Sequence, residues 1–286
     1  MLKYLLKLPR LLLPKRRWCQ YSLATMFFVV TLFCVWLGWV VDRATRQRTA
    51  VRALRAREAV VTYDSNSSLD AHPRSDEPRL RRRLREILGD DYFCRATHVA
   101  FLANESDLDD DAIAALKRLP ALSNLYIMRK PITANNLRAF GQLKKLKSLS
   151  LQLCVLNAEA VAEFRSLKNL EAFSVSGNKV AHGAADQLAK LTNLRELFLD
   201  DVQLTDADCS HLDLLTELEK LSLDGTGISD VGLARLATLG KLRELWVPYE
   251  LWESAAVRRL KQTLPRCEMR ISNVEQIRGM APTKGR

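Results

Sequence analysis

The sequence predicts an α/β solenoid, with parallel strands on a concave face and helices on a convex face, preceded by one N-terminal transmembrane helix. Three observations predict this fold class: a leucine that recurs at a fixed period, a strand-then-helix pattern inside each period, and an apolar run ahead of the repeats. The recurring leucines stand 24 residues apart, at Leu122, Leu146, Leu170, Leu194, Leu218 and Leu242. A period of this length is typical of a stack of short, similar coils.

Each period repeats the same apolar positions, at +3, +5, +10, +15, +18 and +21 from the leading leucine. In the copy that begins at Leu218 these are Leu221, Leu223, Ile228, Leu233, Leu236 and Leu239. The +3 and +5 positions alternate as in a strand, whereas +15, +18 and +21 are spaced for one face of a helix. One strand and one short helix cannot bury their apolar faces alone, so we expect successive coils to share a continuous core.

The segment Leu170-x-x-Phe173-x-Val175-x-x-Asn178-x-Val180 resembles the L-x-x-L-x-L-x-x-(N/C)-x-L pattern of leucine-rich repeat proteins. The stretch 225–233 is similar to the T-x-I-T-D-x-G-L repeats of bacterial leucine-rich proteins. The resemblance covers roughly residues 97–271. It implies that the side chain eight residues after each leading leucine hydrogen-bonds the backbone at a tight bend, a position held by Ser106, Lys130, Cys154, Asn178, Val202 and Thr226.

The repeats are expected to span residues 98–263, with caps at both ends. Residues 98–121 form a degenerate first copy, with His98 in place of the leading leucine. Residues 78–97 are predicted to cap the open end through a basic amphipathic helix whose inward residues are Leu80, Leu84, Ile87 and Leu88. Residues 264–286 are predicted to form a C-terminal cap, with a closing strand within 264–271, followed by a disordered tail.

Residues 23–41 form an apolar run of 19 residues that is long enough to cross nearly the ~30 Å hydrocarbon core of a bilayer as a helix. A cleaved signal peptide is the alternative, but the polar stretch that follows Val41 has no small-x-small cleavage site. Residues 1–22 are a basic flank. Residues 42–63 are predicted to form an Arg-rich stalk ending in a short strand, Val60–Tyr63, and residues 64–77 a flexible loop.

The net charge of +11 belongs to the flanks of the apolar run rather than to the repeats. Residues 1–63 hold 12 Lys and Arg against two acidic residues, whereas residues 98–286 hold 25 against 24. A nucleic-acid partner is therefore not expected, and the basic flanks are better explained by anionic lipid headgroups. Six cations lie close on each side of the run, so charge alone does not set its orientation. We expect a single-pass cell-membrane protein with a cytoplasmic N-terminus and the repeats outside, because a short tail with six cations is translocated poorly.

The sequence shows no arrangement of residues that would predict an enzyme, a cofactor or a metal site. The six cysteines have no C-x-x-C spacing, and Cys154 and Cys209 occupy repeat positions expected to be buried. The four histidines share no common face. The acidic run 107–111 lacks the glycine and the terminal glutamate of an EF-hand loop, and it is better read as the acidic start of a helix before Ile113.

The strand positions +2, +4 and +6 should point outward on the concave face. The middle column then runs Leu102, Tyr126, Ser150, Ser174, Phe198, Ser222 and Trp246. Phe198 and Trp246 are expected to stand exposed among carboxylates, as aromatic residues do at the centres of protein interfaces. The candidate partner-binding residues are Tyr126, Glu196, Phe198, Asp200, Asp224, Glu244 and Trp246. The alternative is that the aromatic residues merely cover the sheet or pack on each other.

The predicted function is that of a membrane-anchored, non-catalytic protein–protein interaction module, with a protein or peptide partner of basic or mixed charge. A structural envelope component that uses its repeats for lateral assembly is the alternative. The basic flank, the stalk, the repeats and the segment from Pro78 to Phe93 together resemble a bacterial group of single-pass, membrane-anchored leucine-rich repeat proteins. That resemblance implies the architecture and names no partner.

Overall fold

A computed structural model describes residues 23–64, 92–102, 108–178 and 184–271, together with residues 83, 87 and 89. The predicted basic flank (1–22), nearly all of the flexible loop (64–77), most of the helix after Pro78 and the C-terminal tail lie outside the described residues. The chain comprises two compact units, Met1–Thr45 and Arg46–Arg286. The repeats belong entirely to the second unit.

A nine-stranded sheet runs through the second unit in the order β1-β2-β3-β5-β7-β8-β9-β10-β11. Its strands are β1 (Val60–Tyr63), β2 (Ala96–Phe101), β3 (Asn124–Met128), β5 (Ser148–Gln152), β7 (Ala172–Ser174), β8 (Glu196–Phe198), β9 (Lys220–Ser222), β10 (Glu244–Trp246) and β11 (Glu268–Arg270). Two further strands, β4 (Pro131–Ile132) and β6 (Val155–Leu156), pair with each other. Only β1 is antiparallel to its neighbour, and β2 to β11 run parallel.

Helical segments connect successive strands. The α-helices are Asp110–Lys117, Ala134–Gly141, Ala158–Ala162, Ala184–Leu188, Asp206–Leu212, Asp230–Arg235 and Ala255–Thr263, and the 3₁₀ helices are Glu163–Ser166, Leu236–Thr238 and Tyr249–Leu251. The residues at the +15 and +18 positions are buried in these helical segments, such as Leu137 and Phe140 in Ala134–Gly141. Right-handed strand–helix–strand connections of this length place helices on one face of a parallel sheet.

Residues that pair on neighbouring strands are separated by one repeat period. From β3 to β11 each residue n pairs with residue n + 24, as Asn124 does with Ser148 and Glu244 with Glu268. The leading leucines are all buried, with Leu122, Leu146, Leu170, Leu194, Leu218 and Leu242 at most 2% exposed. The prediction of an α/β leucine-rich repeat solenoid with strands and helices on opposite faces is therefore confirmed.

The first coil differs from the prediction by two residues. His98 pairs with Asn124 and Ala100 with Tyr126, so these partners are 26 residues apart, not 24. His98 was expected to replace a leading leucine, but that register is wrong, and His98 takes the outward +2 position. The shift is an even number of residues, and a strand has a period of two, so Val99 and Phe101 still face the core.

The first helix, Leu23–Arg55, contains the predicted apolar run and ends inside the stalk region. Within the described residues, one helix, Thr25–Arg55, is long and apolar enough to cross a membrane, with a mean hydropathy of 1.9 in its most apolar window and none of that window buried. The apolar side chains are exposed, for example Phe28 at 65% and Val35 at 66%. An exposed stretch of this kind needs an apolar environment to cover it.

The end of the same helix belongs to the repeat unit. Ala50, Val51 and Leu54 are at most 1% exposed and join the core. Gln47 is also buried, and its amide donates to the carbonyl of Cys94 and accepts from the N–H of Ala96. These residues cover the N-terminal end of the core. Ile87, which was predicted to face inward in the cap, is instead 78% exposed.

The bends that follow the strands share one backbone conformation. The residue seven places after each of the first five leading leucines has a left-handed φ, which is 54° at Arg129, 51° at Leu153, 71° at Gly177, 55° at Asp201 and 63° at Gly225. The residue eight places after the leading leucine was predicted to hydrogen-bond the backbone at the bend. Asn178 donates to the carbonyls of Leu151 (2.7 Å) and Val175 (2.6 Å) and accepts from the N–H of Cys154, so its predicted role at the bend is confirmed.

The helices Asp206–Leu212 and Asp230–Arg235 begin at polar N-caps, and the first turn of one of them joins two coils. Thr205 and Asp208 form a capping box at Asp206–Leu212, and Ser229 caps Asp230–Arg235. The carboxylate of Asp206 accepts hydrogen bonds from the N–H (2.7 Å) and the hydroxyl (2.5 Å) of Ser229 and from the N–H of Gly232 (3.0 Å). One acidic side chain therefore starts its own helix and caps the next one.

Candidate partner-binding surface

The outward residues of the parallel strands form the concave face, and Tyr126 lies between two hollows on it. The corrected register places Ala100 beside Tyr126, so Leu102, which was predicted for the middle column, lies past the end of β2. The hydroxyl of Tyr126 donates to the side-chain oxygen of Gln152 at 2.8 Å. This bond holds the ring in place across two neighbouring strands.

The first hollow, which we call the central hollow, lies between Tyr126 and Phe198 and has a volume of about 400 Å³. Small and hydroxylated side chains form its floor and sides. They are Ser148, Ser150, Ala172, Ser174 and Ser176, and the polar group is completed by Gln152, Glu196 and Asp200. Leu149 and Phe173 reach it from the core side. The hollow exists because the two strands between the aromatic rings, β5 and β7, carry only serine in the middle column.

The second hollow, the N-terminal hollow, lies on the other side of Tyr126 and has a volume of about 410 Å³. It is lined by Val60 and Thr62 of β1, by His98 and Ala100 of β2, and by Asn124 of β3. The sequence analysis missed this hollow, since it placed the first copy two residues out of register and assigned no sheet partner to β1. The run of β-branched and aromatic residues in Val60–Tyr63 indicates a strand there.

Phe198 and Trp246 contact each other, and the prediction that they stand exposed is wrong. Their ring centroids are 6.1 Å apart, and both side chains are partly buried. Ser222 lies between them in the middle column and is only 3% exposed, because the two larger rings close over it. The guanidinium of Arg270 lies 5.5 Å from the centre of the Trp246 ring. Arg270 extends the column by one strand that the sequence analysis left out of the site.

The two glutamates of the predicted site are paired within the sheet. Lys220, from the strand between them, lies 3.1 Å from Glu196 and 3.6 Å from Glu244. Arg270 also contacts Glu244, at 3.3 Å. The neighbouring carboxylates raise the pKa of Lys220, with the hydrogen bond to Glu196 as the largest cause. The C-terminal part of the concave face is therefore an internally compensated set of charges and not a field of free carboxylates.

Asp200 and Asp224 are the other two acidic residues of the predicted site. Asp200 accepts hydrogen bonds from Ser176 (3.0 Å) and from Ser222. Neither aspartate has an ion pair with any Lys or Arg of the described residues. Asp200 lines the central hollow and Asp224 does not. The structure thus divides the seven predicted residues: Tyr126, Phe198, Glu196 and Asp200 surround the central hollow, whereas Asp224, Glu244 and Trp246 lie beyond it.

The two cysteines at repeat positions lie in the core. Cys154 and Cys209 are buried, and burial raises the pKa of both thiols, that of Cys209 to about 11. A thiol in this state is a packing residue and not a nucleophile. The acidic run at 107–111 contains the start of the helix Asp110–Lys117, with Asp109 as its N-cap, as predicted. Within the described part of the chain, no group of three or more His, Cys, Asp or Glu could hold a metal ion.

Comparisons with known proteins find similar structures but no similar sequence. No family model matches the chain, and no curated protein does. Internalin C2 of Listeria monocytogenes is 22% identical over 67% of this chain and 78% of its own, with a TM-score of 0.45. Internalin InlF of the same organism is 25% identical, with a TM-score of 0.39, and the match covers 46% of this chain and 36% of that one. A leucine-rich repeat protein of Leptospira interrogans is 22% identical over 55% of this chain and 39% of its own, with a TM-score of 0.38.

Proposed function

We propose that this protein is a single-pass membrane protein whose leucine-rich repeats bind a protein or peptide partner through the concave face, without catalysis. The observation that carries the proposal is the concave face itself, which presents two adjoining hollows that share Tyr126. Concave surfaces with a few aromatic anchors and a polar surround are typical of binding sites. The proposed contact residues are Tyr126, Glu196, Phe198, Asp200, Asp224, Glu244 and Trp246.

The exposed apolar helix supports the membrane part of the proposal. In the proposed topology, residues 23–41 cross the bilayer, the N-terminus is cytoplasmic and the repeats lie outside the cytoplasm. Carbonate-washed membranes should retain the full chain. A Ser210→Cys variant should react with a membrane-impermeant maleimide in intact cells, because Ser210 is on a surface helix of the repeats. Labelling only after lysis would indicate the opposite orientation. Release of the chain by carbonate would exclude a membrane-spanning helix.

Site-specific photocrosslinking in native membranes tests the binding role. A photoreactive residue at Ser150 lies on the concave face, and one at Val231, which is 63% exposed on the helix Asp230–Arg235, is the matched position on the opposite face. We expect a crosslinked heterologous protein from position 150 and none from position 231. Equal products from both positions would contradict concave-face binding.

The same experiment separates the two functions that the sequence suggests. Crosslinks between copies of this chain, with no other protein, would favour a structural component that assembles laterally. A heterologous product that persists in a Phe198→Ala, Trp246→Ala double variant would show that these aromatic residues are not contacts. The variant has little effect on folding in our interpretation, because both rings lie on the surface of the sheet and not in the core.

A further inference from the structure

We propose that the central hollow binds an extended peptide segment of the partner and receives one basic side chain, preferentially arginine, against Asp200. This inference rests on the proposed binding function, and it assigns a place and a chemistry to it. The place is the middle of the concave face, and not the C-terminal part that the sequence analysis favoured.

The first argument is shape. Tyr126 and Phe198 occupy the same column of the sheet, three strand steps apart, which is about 14 Å at the usual strand spacing. About four residues of extended peptide span that distance. Between the rings, Ser150 and Ser174 provide a low floor, so a backbone can approach the sheet closely. Beyond Phe198 the surface is different, because the Phe198–Trp246 pair covers Ser222.

The second argument is charge. The residues that line the central hollow include the carboxylates of Glu196 and Asp200 and no lysine or arginine. Glu196 is already paired with Lys220. Asp200 has only hydroxyl donors, from Ser176 and Ser222. A carboxylate has about four acceptor positions, so Asp200 retains capacity for a charged donor from a ligand. The uncompensated negative charge favours a cationic group from the partner.

The third argument is the combination of this carboxylate with an aromatic ring. Asp200 lies two residues beyond Phe198, the last residue of β8, and both side chains line the central hollow. A guanidinium is planar, stacks on an aromatic face and donates in a fork that matches a carboxylate. Arg270 already lies over Trp246 in a comparable way two strands away. Arginine therefore fits this site better than lysine, whose ammonium cannot form the bidentate contact.

The serine hydroxyls explain how such a segment is held along its length. Those of Ser148 and Ser150 make no hydrogen bond within the described residues, and both are partly exposed. They can form hydrogen bonds with the backbone of an extended peptide. These bonds would replace the hydrogen bonds to water that the peptide backbone loses on binding. A floor of hydroxyls recognises backbone and not sequence, so the arginine subsite supplies the selectivity.

Selection from a random peptide library displayed on phage, with the full chain in nanodiscs as bait, tests the proposal. We expect enriched peptides to carry an arginine at a common position. Their affinity should fall about tenfold or more in Asp200→Asn, which removes the charge while keeping an acceptor. Asp186→Asn is the matched control, since it removes a carboxylate from a surface helix outside the hollow, and it should leave the affinity unchanged. Ser150→Trp, which fills the floor, should abolish binding, and a circular dichroism melt of each variant establishes that it is folded.

Three results would overturn the proposal. Enriched peptides without a basic residue, or with affinities indifferent to Asp200→Asn, would remove the arginine subsite. Affinity that depends on Asp224 and Trp246, and not on Asp200 and Ser150, would move the site to the C-terminal part while leaving concave-face binding intact. Binding to a glycan array, with no enrichment of any peptide, would indicate that the ligand is a carbohydrate and not a peptide. Failure of the proposed function as a whole has a separate signature, which is the absence of any heterologous crosslink from position 150.

Discussion

The middle and the C-terminal coils of the solenoid share one core, but their concave surfaces differ. In the middle coils, β3 and β5 are five residues long, and small hydroxylated side chains lie between Tyr126 and Phe198. In the C-terminal coils, strands of three residues carry the Phe198–Trp246 contact and the ion pairs of Lys220. The same repeat therefore builds an open hollow in one place and a self-paired surface in the other. The inward residues determine how the coils stack. The outward residues determine which part of the concave face remains open for a partner.

The convex side shows a related difference. In the middle coils the bend is held by Asn178, which is 1% exposed and bonds three backbone groups. In the C-terminal coils, Asp206 holds two helix starts together, and Gly232 provides the space for its carboxylate. The two regions thus join adjacent coils by different polar contacts. Four predictions, from the largest expected effect to the smallest, test whether each contact acts in its own region.

Asn178→Ala should lower the free energy of unfolding by about 3 kcal/mol, because it leaves the N–H of Cys154 and the carbonyls of Leu151 and Val175 buried without a partner. Thermal unfolding of the full chain in detergent micelles measures the loss, and amide exchange should quicken first at Cys154. Asn193→Ala is the control, since its amide makes one exposed bond to the carbonyl of Lys168. Equal losses in the two variants would contradict a special role for Asn178.

Gly232→Ala should cost about 2 kcal/mol, since overpacking a filled site forces its neighbours apart. A β-carbon at this position would lie 2.4 Å from the Asp206 carboxylate and 3.0 Å from the Cys209 sulfur. Gly240→Ala is the matched control, because a β-carbon there meets nothing within 4 Å. If both substitutions have the same effect on the melting temperature, the close approach of adjacent coils at Asp206 is not a constraint on stability.

Asp206→Asn should cost about 1 kcal/mol at neutral pH, as expected for the loss of a charged helix cap. Hydrogen bonds from the Ser229 hydroxyl and N–H lower the pKa of Asp206 from its ordinary value of 3.8. A lowered pKa in the folded state means that the stabilisation is complete above pH 3.8 and is lost as the pH falls through the folded value.

The difference between wild type and Asp206→Asn should therefore disappear in acid, and unfolding measured across a pH series would show this. Glu159→Gln changes another acidic residue in the first turn of a helix, and it should have no comparable dependence. A difference that persists at the lowest pH would show that the charge of Asp206 is not the cause.

Lys220→Met should change stability least, by about 0.5 kcal/mol, since its ion pairs are partly exposed and screened. The variant tests the surface charge, because it removes the ion pair of Glu196 and leaves Glu244 paired with Arg270 alone. Added salt should stabilise the variant relative to the wild type by screening the repulsion between these two carboxylates. Lys241→Met, which removes an ion pair with Glu217 away from the concave face, is the control. Identical salt responses would indicate that Lys220 does not compensate the two glutamates.

The positions of the inward residues were predictable because buried apolar residues recur at regular intervals along the sequence. The fixed leucine period, the strand positions around Leu221 and Leu223 and the helix position of Leu233 all follow from which residues avoid water, and all are buried. Local signals were equally reliable: Thr205 with Asp208 and Ser229 indicate helix starts from neighbouring residues alone, and the helices begin there.

The errors came where residues distant in sequence compete for one place. Ile87 was assigned to the cap from its helical spacing, but Ala50, Val51 and Leu54 fill that end of the core. His98 was aligned by the 24-residue period, but the first coil has two more residues, and an even shift leaves no trace in the alternation. The exposure of Phe198 and Trp246 was inferred from their column alone, whereas the small Ser222 between them lets the rings meet.

Composition and periodicity alone were therefore enough to establish the solenoid, its inward and outward faces, the number of its registered coils and the apolar helix before it. These properties depend on the burial of apolar surface, to which each residue contributes independently. The three-dimensional arrangement was needed to show that Lys220 compensates Glu196 and Glu244, that Asp206 caps the following coil, and that the open part of the concave face lies between Tyr126 and Phe198. Those properties depend on distances between side chains of different coils, which the order of residues along one chain does not record.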